Sequence, residues 1–289
     1  MTPEKLFTQL FEAGTEQDVD EIIQANSDLF RGDSWHPLGK NPSNYSIVKN
    51  QQANPIAALI EKLTNSIDAI LTKKCLEAGI DPRSPGAPRS INGAVQKFFG
   101  DDSTTWDLDS FRREQAKEIQ IVADGTPRNT SVIIYDNGEG QHPDKFEDTF
   151  LSLVSGNKKS IHFVQGKYNM GGSGALVFCG KKRYQLIASK KYDGTGEFGF
   201  TLVREHPLSK EEQYDNKETW YEYFMIDGQI PRFHIDELDL KLFDRKFETG
   251  SIIKLFSYQF PSGYSGFAQD LNQSINEYLF RPAPTHLYS

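Results

Sequence analysis

"EKLTNSIDAI", residues 61–70, sets a glutamate, an asparagine and an aspartate among helix-forming apolar residues. The surrounding helix is well marked. Asn54 suits an N-cap, Pro55 the first helical position, and Gly79 a left-handed C-terminal cap. Between them Ile56, Leu59, Ile60, Leu63, Ile67, Ile70 and Leu71 form one apolar stripe at helical spacing. At about 100° per residue, Glu61, Asn65 and Asp68 fall within about 60° of one another, roughly opposite that stripe. Two readings are open. Such a face is most often the solvated back of an amphipathic helix. Alternatively it is the wall of a site, with a carboxylate as general base on water and the Asn65 oxygen as a hard ligand for Mg²⁺.

The rest of the chain sets the context. The first 30 residues read as helical, with Leu6, Phe7, Leu10 and Phe11 on one face, and residues 31–46 read as a loop. Residues 79–116, rich in Pro, Gly, Ser and Asp, look like an insertion. Then the period changes. "KEIQIVADG" (117–125) and "SVIIYDNGEG" (131–140) read as two strands of a hairpin, joined through Asp124 to Asn129. Further strand-like runs lie at 183–189, 196–205, 219–226 and 250–258, and residues 267–280 read as a helix. Early helices and later strands predict an α+β sandwich, with helices on one face of a mixed, mostly antiparallel sheet. No regular βαβ alternation is visible, which disfavours a doubly wound fold.

Bulk properties narrow the class. The chain has 289 residues, of which 37% are hydrophobic and 25% charged, as in a soluble globular protein. A net charge of −8 argues against a general binder of nucleic-acid backbone. Lys158-Lys159, Lys181-Lys182-Arg183 and Lys190-Lys191 could form a local basic patch, but each reads more simply as solvated surface. Cys75 and Cys179 are too few and too isolated for a disulfide framework or a zinc site. No secretory signal is visible and no apolar run approaches the roughly 18 residues of a membrane span. A cytoplasmic location without membrane contact is expected.

Two further stretches could carry chemistry. In "YDNGEG" (135–140), Asp136 stands at a strand end, where it either makes local turn hydrogen bonds or accepts one from a ligand's exocyclic amine. Gly138 and Gly140 would let a flat ring approach the backbone. In "QGKYNMGGSGALVF" (165–178), Gly166, Gly171, Gly172, Ser173 and Gly174 precede an apolar run. Exposed N–H groups there suit an anion. The loop lacks the G-K-[ST] ending of a Walker A motif, and a dinucleotide fingerprint is not placed correctly. Lys158, Lys159 and Ser160 lie just upstream, where they could fold over phosphates.

In this order and spacing the three stretches resemble the GHKL superfamily, the Bergerat-fold ATPases of gyrase, heat-shock chaperones, histidine kinases and MutL. Glu61, Asn65, Asp68 and Ala69 match the family's E-x-x-x-N-x-x-D-A motif, and Asp136, Gly138 and Gly140 its D-x-G-x-G motif. Gly171, Gly172 and Gly174 are the counterpart of its lid glycines, with one extra glycine. Gly250-Ser251 resembles its G-T before an apolar strand, with serine for threonine. The resemblance covers about residues 50–260, and the hairpin and the stretch "SGNKKS" are most similar to MutL, MORC-type and chaperone members. Residues 1–50 are expected to form a helical segment and strap able to dimerise, and 51–289 the ATPase domain.

The resemblance implies Mg²⁺-dependent ATP hydrolysis coupled to dimerisation and lid closure. It makes Glu61 the base, Asn65 the Mg²⁺ ligand and Asp136 the acceptor of the adenine amine, supported by Ser251 directly or through water. Lys158 and the backbone around Ser173 would join the lid glycines on the phosphates. Asp68 is as well suited to shaping the pocket as to touching ligand. In MutL-like and gyrase-like members a lysine from a following domain reaches the γ-phosphate, so a further domain or partner protein is expected. The alternative is an ATP-gated module that recruits a partner without hydrolysis.

Overall fold

The computed structural model describes residues 1–41, 48, 50, 52–99, 117–153, 160–166, 171–215, 218–261, 263, 271 and 286–288. Two short helices open the chain, α1 (Pro3–Glu12) and α2 (Glu16–Ala25). Thr2 caps α1 ahead of Pro3, and Thr15 with Asp18 forms a reciprocal capping box on α2. The stretch expected to be loop contains a three-residue strand, β1 (Trp35–Pro37). It is held as an edge strand because Trp35 packs on Phe30 and Phe224 while the Arg204 guanidinium covers its ring at 3.5 Å.

Next comes the long helix α3 (Pro55–Glu77). Asn54 accepts hydrogen bonds from the N–H groups of Ile56 and Ala57, and Gly79 follows the last turn at φ +72°, as the sequence predicts. Helix α4 (Ile91–Phe99) lies within the expected insertion. The strands follow: β2 (Ile119–Thr126), β3 (Asn129–Asp136), β4 (Gln185–Lys190), β5 (Phe198–Glu205), β6 (Tyr221–Phe224), β7 (Arg232–Phe233), β8 (Gly250–Leu255) and β9 (His286–Tyr288). Two small helices, α5 (Gly171–Gly174) and α6 (Lys210–Tyr214), interrupt them. The hairpin is longer than expected, since the β2–β3 ladder runs from Ile119↔Asp136 to Thr126↔Asn129. The helix predicted at 267–280 lies outside the described residues apart from Leu271.

Among the described residues the nine strands form one sheet in the order β1-β6-β5-β4-β8-β3-β2-β9, with β7 on β5. All pairings are antiparallel except β2 with β9, so the sheet is mixed and the class is α+β, as expected. Helices cover both of its faces. Leu6, Phe7, Leu10 and Phe11 of α1 pack with Ile133, Tyr135, Leu186, Phe198 and Phe200. Ile56, Leu59, Ile60 and Leu63 of α3 pack with Ile119, Ile121, Val132 and Ile134 on the other face. β4 is buried along its whole length, with Leu186 and Ala188 in the α1 cluster and Ile187 in a third one with Phe146, Leu176 and Tyr221. Among the described residues no helix is long and apolar enough to cross a membrane.

The basic runs are engaged. The N–H groups of Lys181 and Lys182 donate to Glu16, and the Lys182 ammonium pairs with Asp20 at 3.0 Å. Lys190, read as surface from the sequence, is buried under the segment at Ile235, whose carbonyl accepts from its ammonium at 2.6 Å. Lys158 and Lys159 lie outside the described residues.

One buried charge ties α1 to the sheet. Lys254 of β8 is fully buried, and its ammonium pairs with Asp124 and donates to the carbonyl of Phe11. Asp124→Ala strands that ammonium and is expected to cost roughly 3 kcal/mol, whereas adding Lys254→Met to it restores most of the loss. Urea unfolding of the parent, the single and the double variant measures both.

Candidate functional site

The site begins where β3 runs into α3. Four consecutive residues of the turn each meet the helix. The Ser66 hydroxyl donates to Asp136 Oδ2 at 3.1 Å, and the N–H of Gly138 donates to Asp136 Oδ1 at 3.0 Å. Both carboxylate oxygens are therefore oriented, and Asp136 is buried. The Lys73 ammonium donates to Asn137 Oδ1 at 2.8 Å, and the Glu139 N–H donates to the carbonyl of Ala69 at 3.1 Å. Gly138 lies so close to the helix that a Cβ there would stand 2.5 Å from that of Ala69. Gly140, at φ +55°, has no room for one either, with the Lys190 carbonyl 1.9 Å from the position it would take. Both motif glycines thus answer to close approach of backbones.

Above this turn lies a cavity of about 400 Å³, within the range of small-molecule sites. Its floor is one face of the three central strands, with Ile134 and Asp136 of β3, Ser251 and Ile253 of β8, and Gln185 and Ile187 of β4. Asp136, Ser251 and Ser189 stand side by side across these strands. Ser189 accepts from the Gln141 N–H at 2.9 Å and lies 3.1 Å from Ser251, fixing that hydroxyl. Ser66 gives Asp136 direct support, a role the sequence did not reveal.

The wall is α3, which turns Lys62, Asn65, Ser66, Ala69, Thr72 and Leu76 to the cavity. This stripe corrects the picture of a polar back opposite the core. Ser66, Asp68, Thr72 and Lys73 are all buried, because residues 87–99 and 161–164 build a second apolar cluster on Leu71 and Cys75. Asp68, fully buried, accepts from the N–H groups of Gln165 and Gly166 at 2.8–3.0 Å. It anchors the segment leading to the lid glycines. Gly166 in turn lies against Asn65, whose Oδ1 is 2.5 Å from where its Cβ would be. Gly171, Gly172, Ser173 and Gly174 form α5, which packs on α3.

Glu61 stands one turn before Asn65, half-buried, and burial raises its carboxyl above the ordinary glutamate range while the neighbouring Lys62 ammonium opposes that shift. Burial lowers Lys62 to about 8, against the pull of Cys179 and Glu61. Hence a carboxyl and an amine, both shifted by burial, are neighbours on α3, and Lys62 lines the cavity. Lys62 and the Asp81-Pro82-Arg83 turn are lining residues that the sequence did not single out. Lys62 was hidden by its place beside an apolar stripe, where only burial in three dimensions gives it meaning. Among the described residues no group of three His, Cys, Asp or Glu side chains could hold a metal by itself. The Asn65 carboxamide on the cavity wall is a hard oxygen donor of the kind that suits Mg²⁺.

The profile of the histidine kinase-, DNA gyrase B-, and HSP90-like ATPases matches residues 53–218. The match spans α3, the hairpin, the lid segment and β5. The chain belongs to this family, and the fold is the α+β Bergerat fold of the GHKL ATPases, whose domain implies ATP binding. No protein in a search of curated sequences matches significantly.

Asp68→Asn leaves one acceptor oxygen for two N–H donors. Hydrogen exchange at Gln165 and Gly166 is expected to accelerate roughly tenfold, as loss of a hydrogen bond to a charged group worth about 1.5 kcal/mol implies. Unchanged exchange there would show that Asp68 does not anchor the segment.

Proposed function

We propose that this chain is an Mg²⁺-dependent ATPase whose cavity holds the base of ATP on Asp136 and its phosphates between Asn65 and the lid glycines. One observation carries the reading: an oriented, buried carboxylate on the floor of a 400 Å³ cavity that also has Asn65 on its wall. Asp136 accepts the adenine amine, with Ser251 beside it and Ile134, Ile187 and Ile253 against the ring. Gly138 and Gly140 keep the backbone close to the ring edge. The N–H groups of Gly171, Gly172, Ser173 and Gly174 bind phosphate oxygens, and Lys158 joins them when the lid closes.

Asn65 would hold Mg²⁺, which would supply charge neutralisation and orientation of the phosphates. Glu61 accepts a proton from the attacking water, whose oxygen bonds to the γ-phosphorus as the bond to the ADP oxygen breaks. Residues 1–50 mediate ATP-dependent pairing of two copies, and the module serves a larger DNA-processing, genome-defence or chaperone-like machine of MutL or MORC style. If ATP binds tightly and no phosphate is released, the chain is instead an ATP-gated recruiting module.

Glu61→Ala is expected to keep ATP affinity and lower turnover by at least a hundredfold, the usual worth of a general base. Asp136→Ala is expected to weaken binding roughly ten- to a hundredfold. Isothermal titration and phosphate release report both, and parental turnover in Glu61→Ala would remove the base assignment.

The pH profile tests the same base. Glu61 acts ionised, so its raised pKa places the acid limb at higher pH than for an exposed glutamate. Lys62→Met removes the ammonium that holds the carboxyl down and is expected to move that limb to still higher pH; an unmoved limb would separate Lys62 from the base.

A further inference from the structure

Residues 79–116 take no part in the chemistry assigned to α3 and β3, yet three of them, Asp81, Pro82 and Arg83, line the same cavity. Their place along it is set by the helix. The lining stripe runs from Lys62 through Asn65, Ser66 and Ala69 to Thr72 and Leu76. From Asn65 to Leu76 the helix advances about 16 Å. The exit of β3 meets the helix from Ser66 to Lys73, so with phosphates at Asn65 and the base at Asp136 the 81–83 turn, tied back to Cys75, lies on the base side of the cavity.

The turn is built rather than loose. The Ile80 N–H donates to the Cys75 carbonyl at 3.0 Å, and the Arg83 N–H to Asp81 Oδ1 at 2.9 Å. The Ser84 N–H and hydroxyl both donate to the Asp81 carbonyl, at 2.9 and 2.7 Å. Pro82 is buried, and Ala87 packs with Leu71, Cys75, Ile161 and Phe163. A fixed backbone therefore carries one exposed arginine at the cavity rim. The floor supplies isoleucines for one face of a flat ring, and a planar guanidinium suits the other.

We propose that Arg83 closes the base end of the cavity by laying its guanidinium over the purine, so that the segment after α3 sets nucleobase affinity. This rests on the nucleotide reading above. Binding of ATP, ADP and adenosine to the whole chain, measured by calorimetry for the parent, Arg83→Ala and Arg83→Lys, tests it. Arg83→Ala is expected to weaken all three ligands by the same factor, roughly three- to thirtyfold, and Arg83→Lys to recover only part of that. Loss confined to ATP and ADP would make Arg83 a phosphate contact, and no loss with any ligand would leave it a solvated side chain; either overturns the proposal, as does full recovery by lysine. A parent chain that binds none of the three overturns the nucleotide reading itself, and this inference with it.

Discussion

Everything at the cavity depends on how the exit of β3 docks on α3. Asp136, Asn137, Gly138 and Glu139 meet Ser66, Lys73 and Ala69 in one short run of contacts. That docking fixes the height of the helix above the sheet and hence the depth of the cavity. It also orients the Asp136 carboxylate before any ligand arrives. A side chain at Gly138 would push the helix away, and a larger residue at Ala69 would do the same from the other side. The two motifs are therefore halves of one joint, and a match to either alone would say little.

The second constraint is burial of the polar side of α3. A helix covered on one face keeps its charges in water; here the segment after it and residues 161–164 cover the other face as well. Buried polar groups must then find partners, and they do so in ways that build the site. Asp68 binds two backbone N–H groups, Ser66 binds Asp136, and Lys73 binds Asn137. Burial acts first on Glu61 and Lys62, and each opposes the other's shift. Burial raises the carboxyl of Glu61 and lowers the amine of Lys62.

Much of this was legible because it is local. The cap at Asn54, the turn at Gly79, the apolar stripe of α3 and the alternation in β2 follow from neighbours in sequence. Motif spacing paired α3 with β3 and gave the family. What escaped depends on contacts between distant segments. Trp35 becomes strand because Arg204 and Phe224 cover it, and Lys190 is buried because the segment at Ile235 lies over it and accepts from its ammonium. Asp68 looks like a site residue by spacing, yet it holds backbone near 165. Ser66 and Arg83 carry no signature at all, since serine and arginine are ordinary on any helix or turn.

The most direct test is a crystal structure of the chain with a non-hydrolysable ATP analogue and Mg²⁺. The base should lie on Asp136 over Ile134, Ile187 and Ile253, the cation should touch Asn65, and the phosphates should meet the N–H groups of residues 171–174. A nucleotide bound elsewhere, or one seated in the cavity with its phosphates at Asp136 and its base at Asn65, would contradict the account.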